Sequence, residues 1–118
     1  MINYIKSTVL LLALDAIYLK SSSAHFNKVV NAIQGSDLKL RMVPAVACYL
    51  VMAFAINYFI IKDKRSILDA FLLGFVIYAV FDFTSMAIFN KWDFITSLMD
   101  MTWGGVLFAS VTYLTYTL

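Results

Sequence analysis

Residues 43–61 read VPAVACYLVMAFAINYFII, nineteen positions without one charged side chain. A helix crosses about 30 Å of hydrocarbon with roughly 20 mostly apolar residues, so this run has the length of a span. Membrane barrel strands alternate apolar and polar residues with a period of two. No such alternation is present here. Only helices and closed barrels satisfy their backbone groups in lipid, so the run is read as a transmembrane helix. Pro44 falls in its first turn, where a missing N–H costs least. A helix begun earlier, at Ser36 or Asp37, would be kinked by that proline.

Three further apolar runs lie around it, at about residues 4–19, 67–89 and 94–118. The first is short for a span. Composition agrees with them: 63% of the 118 residues are hydrophobic and only 14% are charged, with a mean hydropathy of +0.85. Soluble domains are about 45–50% apolar and about 25% charged. The expected fold is therefore all-α, one transmembrane domain over residues 1–118, an integral membrane bundle of four helices. The same numbers exclude a disordered chain. A net charge of +2 with scattered basic residues excludes a nucleic-acid partner.

The boundaries carry helix signals. Ser66 and Asp69 form an S-x-x-D capping box after the charged turn Lys62, Asp63, Lys64, Arg65. Asn90 closes the third span and Asp93 caps the fourth, with Trp92 between them read as an interface anchor. In the longer first connection, Phe26, Val29, Val30 and Ile33 keep helical spacing. This predicts a short amphipathic helix at about 23–34, started by Ser22 or Ser23 and ended by Gly35. It lies either in the interface plane or packed over the bundle. A leader-peptide reading of residues 1–24 conflicts with Asp15 in the apolar stretch and Lys20 near the small residues.

Both termini fall on one side. Lys6, Lys62, Lys64 and Arg65 lie on that side, against Lys20, Lys28, Lys39, Arg41 and Lys91 on the other, a near tie. The compact charged turn inclines the reading to cytoplasmic termini.

Ionisable residues inside spans are functional candidates by default. Asp15, Asp82 and Asp100 come from three different spans. At ~1.5 Å per residue all three sit roughly 7–12 Å inside the same face. Tyr18 shares a face with Asp15; Tyr78 and Ser85 share one with Asp82; Trp103 and Gly104 follow Asp100 by three and four residues. Thr84 and Thr102 are adjacent, and Tyr49 lies at comparable depth. A polar pocket of Asp15, Tyr18, Tyr78, Asp82, Thr84, Ser85, Asp100, Trp103 and Gly104 is expected. Its carboxyls either hold helices in register or act chemically. Desolvation and mutual repulsion favour one or more bound protons or a cation, with hard ions preferred over zinc.

No cofactor is expected. Cys48 is the only cysteine and His25 the only histidine, which leaves no zinc or bis-histidine haem set. GxSxG, HExxH, P-loop and GxGxxG motifs are absent, so the reading leans away from an enzyme. Ala70 with Gly74 and Gly105 with Ala109 are small-x-x-x-small pairs. They are read as contact faces for a homo-oligomer or other membrane subunits.

The segments LDAIYL (14–19), YAVFDFTS (78–85), KW (91–92) and DMTWGG (100–105) resemble, in order, the patterns LDxIWL, YAxYDLTN and W…DxxWG. Together they are similar to the membrane-protein family known as domain of unknown function 2177, over nearly the whole chain. Tyr18, Phe81 and Ser85 depart from it, standing where the pattern has Trp, Tyr and Asn. The resemblance implies a four-span layout and signature positions Asp15, Asp82, Thr84, Asp100, Trp103 and Gly104. It implies no activity, and its link to lipid modification is one of association. Four roles remain open: a binding or accessory protein linked to membrane lipids, a proton or cation conduit through the three aspartates, a lipid-modifying enzyme, and a purely structural membrane component.

Overall fold

A computed structural model describes residues 2–36 and 41–118. Asp37 and Lys39, used above for capping and for charge counting, lie outside the described residues. The described chain is helical and has no strands. Its elements are α1 (Ile2–Gln34), α2 (Met42–Ile56) continued by a π turn (Asn57–Ile61), α3 (Ile67–Ile88) and α4 (Phe94–Thr117). All four helices are long and apolar enough to cross a membrane. Large apolar side chains are exposed along their outer faces, Val43, Val80, Ile88 and Ile95 among them, as a lipid-facing surface requires.

Residues 23–34 are helical, but they continue α1 without a break instead of forming a separate element. Ser22 and Ser23, expected to start a new helix, donate back to the carbonyls of Tyr18 at 2.7 Å and Lys20 at 3.1 Å. Hydroxyls that bond inside their own helix leave its ladder intact. Gly35 does end α1: it takes φ +73°, and its N–H reaches Asn31 O at 2.8 Å. A left-handed residue just past the last turn is where glycine avoids a Cβ penalty. At ~1.5 Å per residue α1 is ~50 Å long, longer than the hydrocarbon layer, and its last turn, at Ala32 and Ile33, lies beside residues 88–91 at the end of α3.

Pro44 sits in the first turn of α2 and causes no kink, because that turn has unbonded N–H groups anyway. At the far end of α2 the N–H of Lys62 bonds Asn57 O at 2.8 Å, five residues back. Ser66 caps α3, its hydroxyl accepting Asp69 N–H at 3.0 Å. The Asp69 carboxylate does not return to Ser66; it pairs with Arg65 at 3.0 Å. Asp93 caps α4 by accepting Thr96 N–H at 3.3 Å; the Thr96 side chain, with that backbone bond beside it, holds its carboxyl below the usual carboxylate range.

The helix arrangement follows from glycine. α3 and α4 are antiparallel and closest at Gly74 and Gly104. A Cβ on Gly74 would lie 2.1 Å from Gly104 O, and one on Gly104 would lie 2.4 Å from the Tyr78 ring. Gly105 makes room for Phe71 in the same way. Ala70, Gly74 and Gly105, expected to serve contacts between copies, are therefore used inside the chain, whereas Ala109 is partly exposed. α4 packs on α3 and α1, while α2 leans on α1 and touches the other two only marginally. Leu11, Ile56, Leu107, Phe108 and Val111 are fully buried and form the apolar core.

Candidate functional site

Asp15, Asp82 and Asp100 are 4%, 0% and 6% exposed. All three face inward, as the cost of presenting a charge to lipid demands, roughly 2.5–3.5 kcal/mol at mid-membrane. Each is held by aromatic donors. Asp15 Oδ1 accepts the Trp103 indole N–H at 3.0 Å and the Tyr78 hydroxyl at 3.5 Å. Its Oδ2 accepts the Tyr49 hydroxyl. Asp15 on α1 thus touches α2, α3 and α4 at once. Asp100 Oδ1 accepts the Tyr18 hydroxyl at 3.2 Å, and Asp82 Oδ1 accepts the Trp92 indole N–H at 3.3 Å. The Tyr18 ring lies flat on Trp103, with centroids 4.7 Å apart and planes 4° from parallel. This stack joins the Asp15 group to the Asp100 group. The carboxyls of Asp82 and Asp100 lie within hydrogen-bonding reach of each other.

The local sequence explains the placement. Asp15 and Tyr18 are one turn apart on α1, and Asp100 and Trp103 are one turn apart on α4. Each helix offers one acid and one aromatic donor, and the donors cross to the neighbour's acid. Gly104 lacks the side chain that would push the Tyr78 ring aside. Ser85 is buried one turn beyond Asp82. Thr84 is exposed, and so is Thr102. Both occupy faces of α3 and α4 turned away from the carboxyls, because neighbours in a helix point about 100° apart.

Two residues play parts that the sequence did not reveal. Trp92 was expected to anchor at the interface; instead it is 9% exposed and turned inward onto Asp82. The signal lay in the loop, which is too short to carry an indole away from the end of α3. His25 bonds the buried Thr96 hydroxyl at 2.7 Å. Next to it, Phe26 meets the Tyr18 ring at 6.3 Å and Trp92 at 6.2 Å. The C-terminal part of α1 therefore packs over the end of the carboxyl cluster nearest the α3–α4 loop. Among the described residues no three His, Cys, Asp or Glu side chains are grouped to hold a metal ion, so the three carboxyls do not form the hard-ion site considered above.

A second polar cluster lies at the other end of the bundle. The Ser7 hydroxyl donates to Asn57 Oδ1, and the Asn57 amide donates to Thr8 at 3.3 Å. Between the two clusters stand Leu11, Leu107, Phe108 and Val111, all at 0% exposure.

No curated protein and no solved structure matches the chain. A family model described as "Predicted membrane protein (DUF2177)" matches residues 1–117, and with four helices able to span a membrane the chain belongs to that family of integral membrane proteins.

Proposed function

We propose that the protein binds polar lipid headgroups from inside the membrane, as a binding or accessory component of lipid handling. The observation that carries this reading is the splay of α2. From residue 52 onward it buries Met52, Ala55 and Ile56, whereas Met42, Val43, Val46, Leu50 and Val51 before them are exposed. At that level the Tyr49 hydroxyl on Asp15 is the hydrogen bond that ties α2 to the carboxyl network. A lipid arriving laterally meets the Tyr49 hydroxyl in front of a carboxylate, near headgroup depth. Carboxylates and phenol oxygens accept hydrogen bonds, so the site suits headgroups rich in N–H or O–H donors. Lys20, Arg41 and Lys91 at the same end attract the lipid phosphate.

The apolar layer of Leu11, Leu107, Phe108 and Val111 weighs against a conduit, because no ionisable group continues the path through it. An enzymatic role lacks a nucleophile or a cofactor motif to support it.

The test is native mass spectrometry of the full chain with defined phospholipids. Phosphatidylethanolamine is expected to bind at least about tenfold more tightly than phosphatidylcholine, whose quaternary nitrogen donates no hydrogen bond. That is a difference of ~1.4 kcal/mol. Asp15→Asn should abolish the preference. Equal binding of the two lipids by the wild type would overturn the reading.

A further inference from the structure

The Asp82–Asp100 pair has a charge problem that the chain does not solve. Asp82 is fully buried, and its Oδ1 takes the Trp92 N–H. Its Oδ2 has no donor among the described residues. The group within its reach is the Asp100 carboxyl, which is itself an acceptor when ionised. Two carboxylates bond each other only through a proton or a cation. No lysine or arginine pairs with either acid among the described residues; the ion pair that forms is Arg65 with Asp69, at the opposite end of α3.

A second, separate observation falls at the same level of the α3–α4 pair. The Ser97 hydroxyl is 0% exposed and has no partner. Ser97 lies one turn before Asp100 on α4. The contact of Gly74 with Gly104 fixes the antiparallel register, so Ser97 lies opposite the turn of α3 that carries Asp82. Buried polar groups left without partners in a native fold call for an explanation, such as strain, a water or an ion.

We infer that Asp82 and Asp100, with Ser97 beside them, hold one monovalent positive charge between α3 and α4. It is either a sodium-sized cation or a proton. Divalent ions fit poorly. Mg²⁺ keeps several waters and Ca²⁺ takes about 6–8 oxygens, whereas two carboxyls and one hydroxyl offer few, and Asp82 Oδ1 and Asp100 Oδ1 already accept the Trp92 and Tyr18 donors. The titratable groups facing the pair are Asp15 and Tyr18 of α1 and Tyr78 of α3; none supplies a positive charge. The inference does not rest on the headgroup reading, which turns on Asp15 and lipid selectivity.

The experiment measures thermal unfolding of the purified full chain in detergent. NaCl replaces choline chloride at constant ionic strength, at mildly alkaline and at mildly acidic pH. A bound cation raises Tm by several degrees with NaCl at alkaline pH, and Ser97→Ala weakens that response. A shared proton raises Tm on acidification with no response to NaCl. Asp82→Asn should abolish either response, because a neutral amide needs no positive charge. Infrared spectroscopy of the wild type provides a check independent of any variant: a protonated aspartic acid band in sodium-free buffer supports the proton. A wild type that responds to neither sodium nor acid and lacks that band would overturn the inference. So would an Asp82→Asn protein whose responses match those of the wild type.

Discussion

The two ends of the bundle place polar groups in lipid by different chemistry. At the end holding α1's first turns, the polar groups are neutral. Ser7 and Thr8 have the Tyr4 carbonyl at 3.0 and 2.8 Å, inside their own helix, in addition to Asn57. At the other end the groups are carboxyls. A carboxylate accepts and does not donate, while the N–H groups of its own helix are already bonded. Its partners must therefore come from other helices, and they do: Tyr49, Tyr78 and Trp103 reach Asp15, and Tyr18 reaches Asp100. A neutral hydroxyl tolerates the loss of its tertiary partner. A buried carboxyl does not, so the carboxyl end depends on all four helices keeping their places.

That contrast is most severely tested at Gly74. Gly74→Val puts a branched side chain where even a Cβ falls 2.1 Å from Gly104 O. The α3–α4 pair must then separate, at a cost of about 3 kcal/mol or more. The carboxyl end, built on that pair, should lose its order, while the Ser7–Asn57 contact between α1 and α2 survives. Thermal unfolding together with tryptophan fluorescence checks this, since both tryptophans sit at the carboxyl end. Unchanged fluorescence and Tm would break the comparison.

A matched pair of substitutions sharpens it. Trp92→Phe keeps an aromatic ring but removes the donor to Asp82, leaving a buried acceptor unmet at about 1–3 kcal/mol. Asn57→Ala removes the partner of Ser7 and Thr8, which still have the Tyr4 carbonyl, and should cost nearer ~1 kcal/mol. Denaturant titration of the two variants in the same detergent decides between them. A larger loss for Asn57→Ala would reverse the argument.

The smallest effect is expected at the α4 cap. Asp93 is exposed, and the Thr96 bond lowers its carboxyl in the folded state. A lowered carboxyl stabilises the fold above its unfolded value of about 3.9. That contribution is lost as the pH falls through the folded value. Solvent screening keeps it small. The acid side of the stability profile should therefore flatten slightly in Asp93→Asn, which retains a capping side chain, whereas Asp93→Ala loses about 1 kcal/mol at neutral pH as well. An identical acid limb in wild type and Asp93→Asn would count against it.

Much of this was readable beforehand, for reasons that can be named. The caps at Ser66 and Asp93 involve residues three apart, and local hydrogen bonds depend on local sequence. The common depth of Asp15, Asp82 and Asp100 followed from counting along helices that must cross one layer. Trp92 was misjudged because a loop tryptophan between two spans has two stable choices, the interface or the interior. The Oδ1 of Asp82, which accepts the indole N–H, decides which, and that pairing exists only once α3 and the loop are folded together. Thr84 was misplaced because adjacency in sequence does not mean a shared face in a helix.

What the sequence by itself determined is the class and the layout: four apolar runs, their ends, and acids that cannot face lipid. Those follow from hydrophobic length and from desolvation, both of which act residue by residue. The tertiary structure alone decided which aromatic serves which carboxyl, that α2 stands off at Tyr49, and that Asp82 is left facing Asp100. These depend on how closely α3 and α4 approach, and that distance is set by glycines at 74 and 104 meeting across thirty residues of chain.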